Sequence, residues 1–469
     1  MAEENTVLEQ VFEAQGAAGA ARRRDFGLAA RRAALGRLAQ AVQRAESAIC
    51  DALAADLGRA PAESLLVEVT PLLQDLAEAR RHLPRWMRPR RVRGGLAGLG
   101  TVARLVPEPR GRALIIAPWN YPVSLALGPL VSALAAGCSA IIKPSELAPA
   151  TSALIARLVA DCFPPDLVAV VEGDMDVATR LLALPFDHIF FTGSPAVGRV
   201  VMAAAARHLT SVTLELGGKS PCIIGPGADL ARAARWVAFG KFANAGQTCI
   251  APDHLFVHDS IAAPFKAALL AEIARIYPAG RDLAAIVSDR HATRLRDMLA
   301  EALNRGARLL TGGPGQGRQM PPSVLEALAP DTPLACEEIF GPILPILPFS
   351  DIETVISRIN AGDKPLALYI FDHDRAMIDR VIAGTSSGAV GVNLTMIHFS
   401  HPGLPFGGVG VSGQGQAHGR WGFLAFSHEK PVLENRFSPA PLLFPPYGAR
   451  SRRMIGWVKR LTAWSLPRR

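Results

Sequence analysis

Cys249 stands in the stretch N-A-G-Q-T-C-I-A-P-D-H over 244–254, with Gly246 three residues before it. Glycine lets a backbone turn freely and approach a ligand closely, and a thiolate of lowered pKa attacks carbonyl carbon. A buried core thiol is the competing account of any lone cysteine. Glu215 lies 34 positions earlier (249 − 215), in L-E-L-G-G-K-S-P over 214–221, an apolar run ending in a glycine pair. Desolvation in such a run raises a carboxyl pKa toward the range of a general base at neutral pH. Thiol and carboxylate together could add to a carbonyl carbon and then hydrolyse the adduct.

The elements that must bring these groups together are read from periodicity. From Ala113, short apolar strands alternate with helical stretches: 114–117 then 123–136, 140–143 then 148–162, 168–171 then 175–184, and 188–191 then 195–208. Repeated strand–helix units make a parallel sheet covered on both faces, and ligands bind beyond the carboxyl ends of its strands. At those ends fall P-W-N (118–120), K-P-S-E (143–146), E-G (172–173) and T-G-S (192–194). The run F-T-G-S-P-A-V-G over 191–198 reads as strand, turn and a helix opening with proline, whose N-terminus offers unpaired N–H groups and a positive dipole end to phosphate. It is not the G-x-G-x-x-G fingerprint.

A second strand–helix series runs from 215 to roughly 400, with strands at 212–216, 222–224 and 254–257 and a helix at 230–244 that delivers Gly246 to Cys249. The glycine-rich run 311–317 lacks the Gly-Lys-Ser/Thr ending of a P-loop and reads as a surface turn. Ahead of both series, residues 11–83 place Leu28, Leu35, Leu38 and Val42 at helical spacing, which predicts a pair or trio of amphipathic helices with the arginines as their solvated face. Residues 84–93, P-R-W-M-R-P-R-R-V-R, read as a break too proline-rich for helix.

P-W-N-Y-P (118–122), L-E-L-G-G-K-S-P, the cysteine at its separation, and E-E-I-F-G-P (337–342), in that order, resemble the aldehyde dehydrogenase superfamily from about residue 11 to about residue 447. The resemblance implies an α/β fold with a Rossmann-like parallel-sheet cofactor domain (1–90 and 108–213) and an α/β catalytic domain (214–400). It also implies a small bridging and oligomerisation element (91–107 and 401–447), ahead of a tail (448–469), and a homodimer. NAD or NADP is the implied cofactor. Gly193, Ser194 and Gly198 would hold its pyrophosphate, Lys143 and Glu146 would face the adenosine ribose, and Glu338 the nicotinamide ribose. Phe340 would lie beside the nicotinamide ring, with Trp119 and Leu216 completing the site.

In the same resemblance Cys249 is the nucleophile, Glu215 activates water, and Asn120 with the backbone N–H of Cys249 receives the oxyanion. The wording P-W-N-Y-P, A-P-D and L-P-F-G-G-V-G is most like the class 3 group, whose members oxidise aromatic or longer aliphatic aldehydes. His254 departs from that group, which usually has tyrosine there, and a hydrogen-bonded structural histidine is the default reading. The enzymatic rival passes the acyl group to coenzyme A, and the rival of another class is a non-catalytic binding protein on the same fold. Glu215 favours hydrolysis over the first, and the intact set of site residues favours catalysis over the second.

Composition bounds the rest. A chain of 469 residues with 49% hydrophobic and 19% charged residues is globular and large enough for two or three domains. Six scattered cysteines (50, 138, 162, 222, 249 and 336) without C-x-x-C pairs or nearby histidines indicate neither a disulfide framework nor a zinc site, and suit a reducing, cytoplasmic compartment. Of the net charge of +9, seven basic residues fall within 450–469, leaving about +2 for the body, so the body is not a nucleic-acid-coating surface. No signal peptide is visible. Residues 113–142 lack charge for thirty positions, yet four interruptions by proline and asparagine favour strand and buried helix over a membrane span. In the tail, Met454, Trp457, Val458, Leu461 and Trp464 recur at helical spacing among basic residues. That pattern suits a helix lying on an anionic membrane or one docked on the partner subunit.

Overall fold

Strands buried on both faces, with successive residues turned to opposite cores, sort the chain into layers. In the computed structural model, which describes residues 2–95 and 98–464, a six-stranded sheet runs in the order Gly413–Gln414, Ser211–Glu215, His188–Thr192, Arg112–Ile116, Ser139–Lys143, Val168–Val170. Five of its strands are parallel and Gly413–Gln414 is antiparallel to Ser211–Glu215. Ala113, Ile115, Ala140 and Ile142 face one core, under the N-terminal helices and helix Ser124–Ala136. Leu114, Ile141 and Ile189 face the other, under helices Met175–Leu182 and Pro195–Ala206. The period-two pattern that makes a strand is thus the pattern that fills two cores.

A seven-stranded sheet follows in the order Arg308–Thr311, Ser323–Glu326, Ile343–Phe349, His254–His258, Pro221–Ile224, Ala367–Phe371, Ala389–Val392. Cys222, Ile224, Ala367 and Tyr369 pack with helices Leu230–Phe242, Ala262–Ile276 and Asp289–Asn304, while Ile223, Leu368 and Ile370 pack with Ile352–Ala361 and Arg375–Gly384. A third sheet pairs Arg90–Val92 with Thr101–Pro109 and that strand with Ser427–Asn435, all antiparallel. The uncharged run 113–142 is strand, helix and strand, and no helix among the described residues is long and apolar enough to cross a membrane.

Three expectations fail near the N-terminus. Helical segments over Ala2–Ala17, Gly19–Asp25, Leu28–Arg44, Glu46–Leu57, Pro61–Val69 and Thr70–Trp86 replace a pair or trio. The last carries Pro84 within it, because Leu72, Leu76, Ala79 and Leu83 form a buried stripe whose packing outweighs one lost hydrogen bond near the helix end. The arginines are not all solvated either: Arg31 donates to the carbonyl oxygens of Ala135 and Ala136, and Arg59 is buried. The tail is a helix over Ala449–Trp464; the Trp464 side chain, Arg468 and Arg469 lie outside the described residues.

Candidate functional site

Helix Leu230–Phe242 starts on Asp229, whose carboxylate accepts from the Arg232 N–H, and ends at Ala243. Three left-handed residues then reverse the chain: Asn244 (φ 53°), Ala245 (φ 53°) and Gly246 (φ 73°). At Gly246 a Cβ would lie 2.3 Å from the Gly341 carbonyl oxygen, so the expected close approach is real and made to the neighbouring loop. A non-glycine residue costs on the order of 1–3 kcal/mol in this region and persists only where its surroundings hold it. Asn244 is so held: its N–H donates to Glu63, its Nδ2 to the Asn120 carbonyl at 2.9 Å, and its Oδ1 accepts from Arg59.

The Cys249 thiol lies at the end of this turn. Burial, and next the negative charges of Glu338 and Glu215, push it up to about 12; the N–H groups of Cys249 and Ile250, which donate toward the sulfur, oppose the shift. At neutral pH the sulfur of the free protein therefore keeps its proton.

Two cavities meet at Cys249. The wider, of about 420 Å³, is lined by apolar and aromatic side chains including Tyr121, Trp236, Phe239, Met396 and Phe399. The narrower, of about 50 Å³, holds Glu215 in its wall. Glu215 ends its strand, is 5% exposed, and neither carboxylate oxygen has a hydrogen-bond partner. Burial holds its carboxyl well above the usual range. Asn120 donates from Nδ2 to the carbonyl oxygen of Gln247 at 3.0 Å, two residues before the cysteine, a bond that uses one of its two amide hydrogens.

The residues attributed to a cofactor gather at the carboxyl ends of adjacent strands. Lys143 ends its strand, is 3% exposed and pairs with Glu146 at 2.7 Å. Ser194 is the N-cap of helix Pro195–Ala206 and accepts from the Val197 N–H, and Gly193 donates to the Glu215 carbonyl at 3.0 Å. A Cβ on Gly198 would come within 2.8 Å of Leu216, and one on Gly217 within 2.1 Å of the Glu338 carboxylate, so glycine at each position lets the backbone pack directly against a residue attributed to the cofactor site. Phe340, at φ 49°, meets Trp119 edge-on at 5.4 Å, and Trp119 lies 5.4 Å from His291. Glu338, buried and bonded to the Gly218 N–H, is pushed up to about 7, chiefly by desolvation. A helix N-terminus and an aromatic wall at the strand ends fit a dinucleotide.

Several residues at the site escaped the sequence reading. Arg59 and Glu68 form an ion pair at 2.6 Å with both side chains fully buried; Glu68 also accepts from the N–H groups of Val123 and Ser124, while Arg59 donates to the Asn120 carbonyl and covers the Tyr121 ring. The signal existed: Glu68 sits in L-L-V-E-V, a carboxylate inside an apolar run as Glu215 is. Asp253 joins two loops, accepting from Lys219 and from the Ile339 N–H at 2.9 Å, and these cationic and hydrogen-bonding partners hold it far below the usual carboxylate range against the cost of burial. His254, by contrast, lines neither cavity; its ring contacts Asp253 at 3.5 Å and meets Phe256 edge-on at 5.0 Å.

Comparison with known proteins places these features in context. Residues 2–432 match the Aldehyde dehydrogenase family. The chain is 42% identical over 416 residues to a probable coniferyl aldehyde dehydrogenase of Pseudomonas aeruginosa, covering 87% of each chain. It is 41% identical over 431 residues to aldehyde dehydrogenase family 3 member A2 of Rattus norvegicus, covering 90% of this chain and 87% of the relative. The solved substrate-bound state of Staphylococcus aureus AldH superposes with a TM-score of 0.91 at 37% identity, over 96% of this chain and 99% of that one.

Proposed function

The chain belongs to the aldehyde dehydrogenase family, and from that premise we propose that this NAD(P)-dependent aldehyde dehydrogenase acts through Cys249, Glu215 and Asn120 on aromatic or medium- to long-chain aldehydes. The carrying observation is that Cys249 and Glu215 line one cavity while the Glu215 carboxylate has no hydrogen-bond partner. The apolar lining of the wider cavity suits an extended or aromatic tail, in keeping with the coniferyl aldehyde named for one relative.

Lys143, Glu146, Gly193, Ser194, Gly198, Leu216, Trp119, Glu338 and Phe340 would hold a nicotinamide dinucleotide, which would supply the hydride acceptor. The Cys249 sulfur gives up its proton to solvent as it bonds to the aldehyde carbon, and Asn120 Nδ2 with the Cys249 N–H receives the oxygen as it gains charge. With that acceptor in place the adduct would become a thioester on Cys249. Glu215 takes a proton from water as that oxygen bonds to the acyl carbon, and the sulfur leaves. Cys249→Ala should abolish oxidation. Glu215→Gln should retain a burst of reduced cofactor while steady turnover falls by about 10² or more; unaltered turnover in either variant sinks the assignment.

The same reading divides the chain at 1–90 with 108–213, 214–400, and 91–107 with 401–447, and makes it a cytoplasmic homodimer. Its basic tail meets either an anionic membrane or the partner subunit.

A further inference from the structure

The two cavities that join at Cys249 are unlike. The wider is fit for substrate, and Glu215 is absent from its lining. The narrower spreads a smaller volume over more residues: its lining holds Cys249 and Glu215, Thr192, whose buried hydroxyl has no partner, and also Asp75 and His418. His418 Nδ1 lies 3.2 Å from Asp75 Oδ2, with the two side chains 14% and 20% exposed, so that pair touches solvent. Its ring packs edge-on against Phe399 at 4.5 Å, and Phe399 lines both cavities. His418 is held at φ 67°, a left-handed conformation costly for a non-glycine residue.

Each turnover of an aldehyde dehydrogenase consumes one water and yields a carboxylate, reduced cofactor and two protons. With the acyl chain in the wider cavity and cofactor along the strand ends, the proton taken by Glu215 needs another way out. We propose that the narrow cavity is the passage by which hydrolytic water reaches Glu215 and the proton leaves it, with the Asp75–His418 pair as its outer terminus. The proposal rests on Glu215 acting as the base. In the relay, water gives one proton to Glu215 as its oxygen bonds to the acyl carbon, and Glu215 returns that proton through water to the His418–Asp75 pair and bulk solvent. No electrons move in this step. Asp75 and His418 are positioning residues, since neither touches the acyl carbon.

Gly128 lines this cavity from helix Ser124–Ala136, and nothing lies within 4 Å of a Cβ placed there. Gly128→Leu should therefore obstruct the passage without a clash. The expected result is a full burst of reduced cofactor, then steady turnover lowered roughly tenfold, with acyl-enzyme visible by intact mass. His418→Gln and Asp75→Asn should lower steady turnover severalfold, raise the solvent deuterium isotope effect, and in His418→Gln respond to added imidazole, which a merely structural role would not produce. Wild-type turnover and isotope effect in all three variants would overturn the passage. Should Gly128→Leu lose its burst as well, the other two variants decide alone. Glu215→Gln is read separately: if it deacylates at the wild-type rate the base assignment fails, whatever the passage variants show.

Discussion

The ionisation of Cys249 is governed by its neighbours more than by its own loop. Glu338 is the first charge in line, and because its own carboxyl is pushed up to about 7, that charge appears as pH rises through neutrality. In the cofactor-free enzyme the gain in thiolate with pH should therefore be blunted between pH 6 and 8. Glu338→Gln removes the opposing charge, lowers the thiol pKa and should speed iodoacetamide alkylation of Cys249 at pH 8 about three- to tenfold. An unchanged alkylation rate would show that the carboxylate does not reach the sulfur. Cys249 and Glu215 were legible because each residue type stands out in its run; Asp253 was not, since an aspartate between proline and histidine carries no sign of the lysine that comes to it from 34 positions away (253 − 219).

At the scale of elements, the nucleophile turn depends on a helix it never touches in sequence. The buried Arg59–Glu68 pair ties Pro61–Val69 to Asn120 and Asn244. Arg59→Met leaves the Glu68 carboxyl buried without its ion-pair partner, held only by the Val123 and Ser124 N–H groups, a loss of about 3–5 kcal/mol, to be seen as a lower urea midpoint together with a lower kcat as Asn120 drifts. The double variant Arg59→Met with Glu68→Gln should regain part of that stability, and a single variant as stable as wild type would remove the pair from this account. The strands between 114 and 257 were legible to within a residue or two because each is a short apolar run bounded by turns, whereas those at 308–311, 323–326, 343–349, 367–371 and 389–392 were not read. Arg59 was misread because helical periodicity sorts side chains by face, whereas G-R-A-P over 58–61 lies between helices, where periodicity says nothing.

The whole molecule exposes its oddest surface at the tail. Helix Ala449–Trp464 leaves Trp457 66% and Leu461 43% exposed beside Arg450, Arg452, Arg453, Lys459 and Arg460, and Phe437, Phe444 and Tyr447 stand open nearby. Full-length protein should co-sediment with anionic vesicles, less so at high salt, and a chain ending at Gly448 should not. Equal sedimentation excludes a tail anchor, and loss of dimer on truncation selects the partner subunit instead. Periodicity announced this helix, but what covers its apolar side is a property of assembly that no local pattern carries.

The sheet pairing sets a schedule as well. Thr101–Pro109 finds its partner in Ser427–Asn435, and the strand bearing Glu215 meets its second neighbour only through Ser412 and Gly413. Between the synthesis of those partners the ribosome adds 198 (413 − 215) to 318 (427 − 109) residues, a wait of about 10–60 s at roughly 5–20 residues per second. For that interval the nascent chain carries two open strand edges, the condition in which chains pair with one another. The strand that ends in Glu215 is closed on that edge by Gly413–Gln414 alone, so the wall of the site depends on chain made 198 residues later (413 − 215).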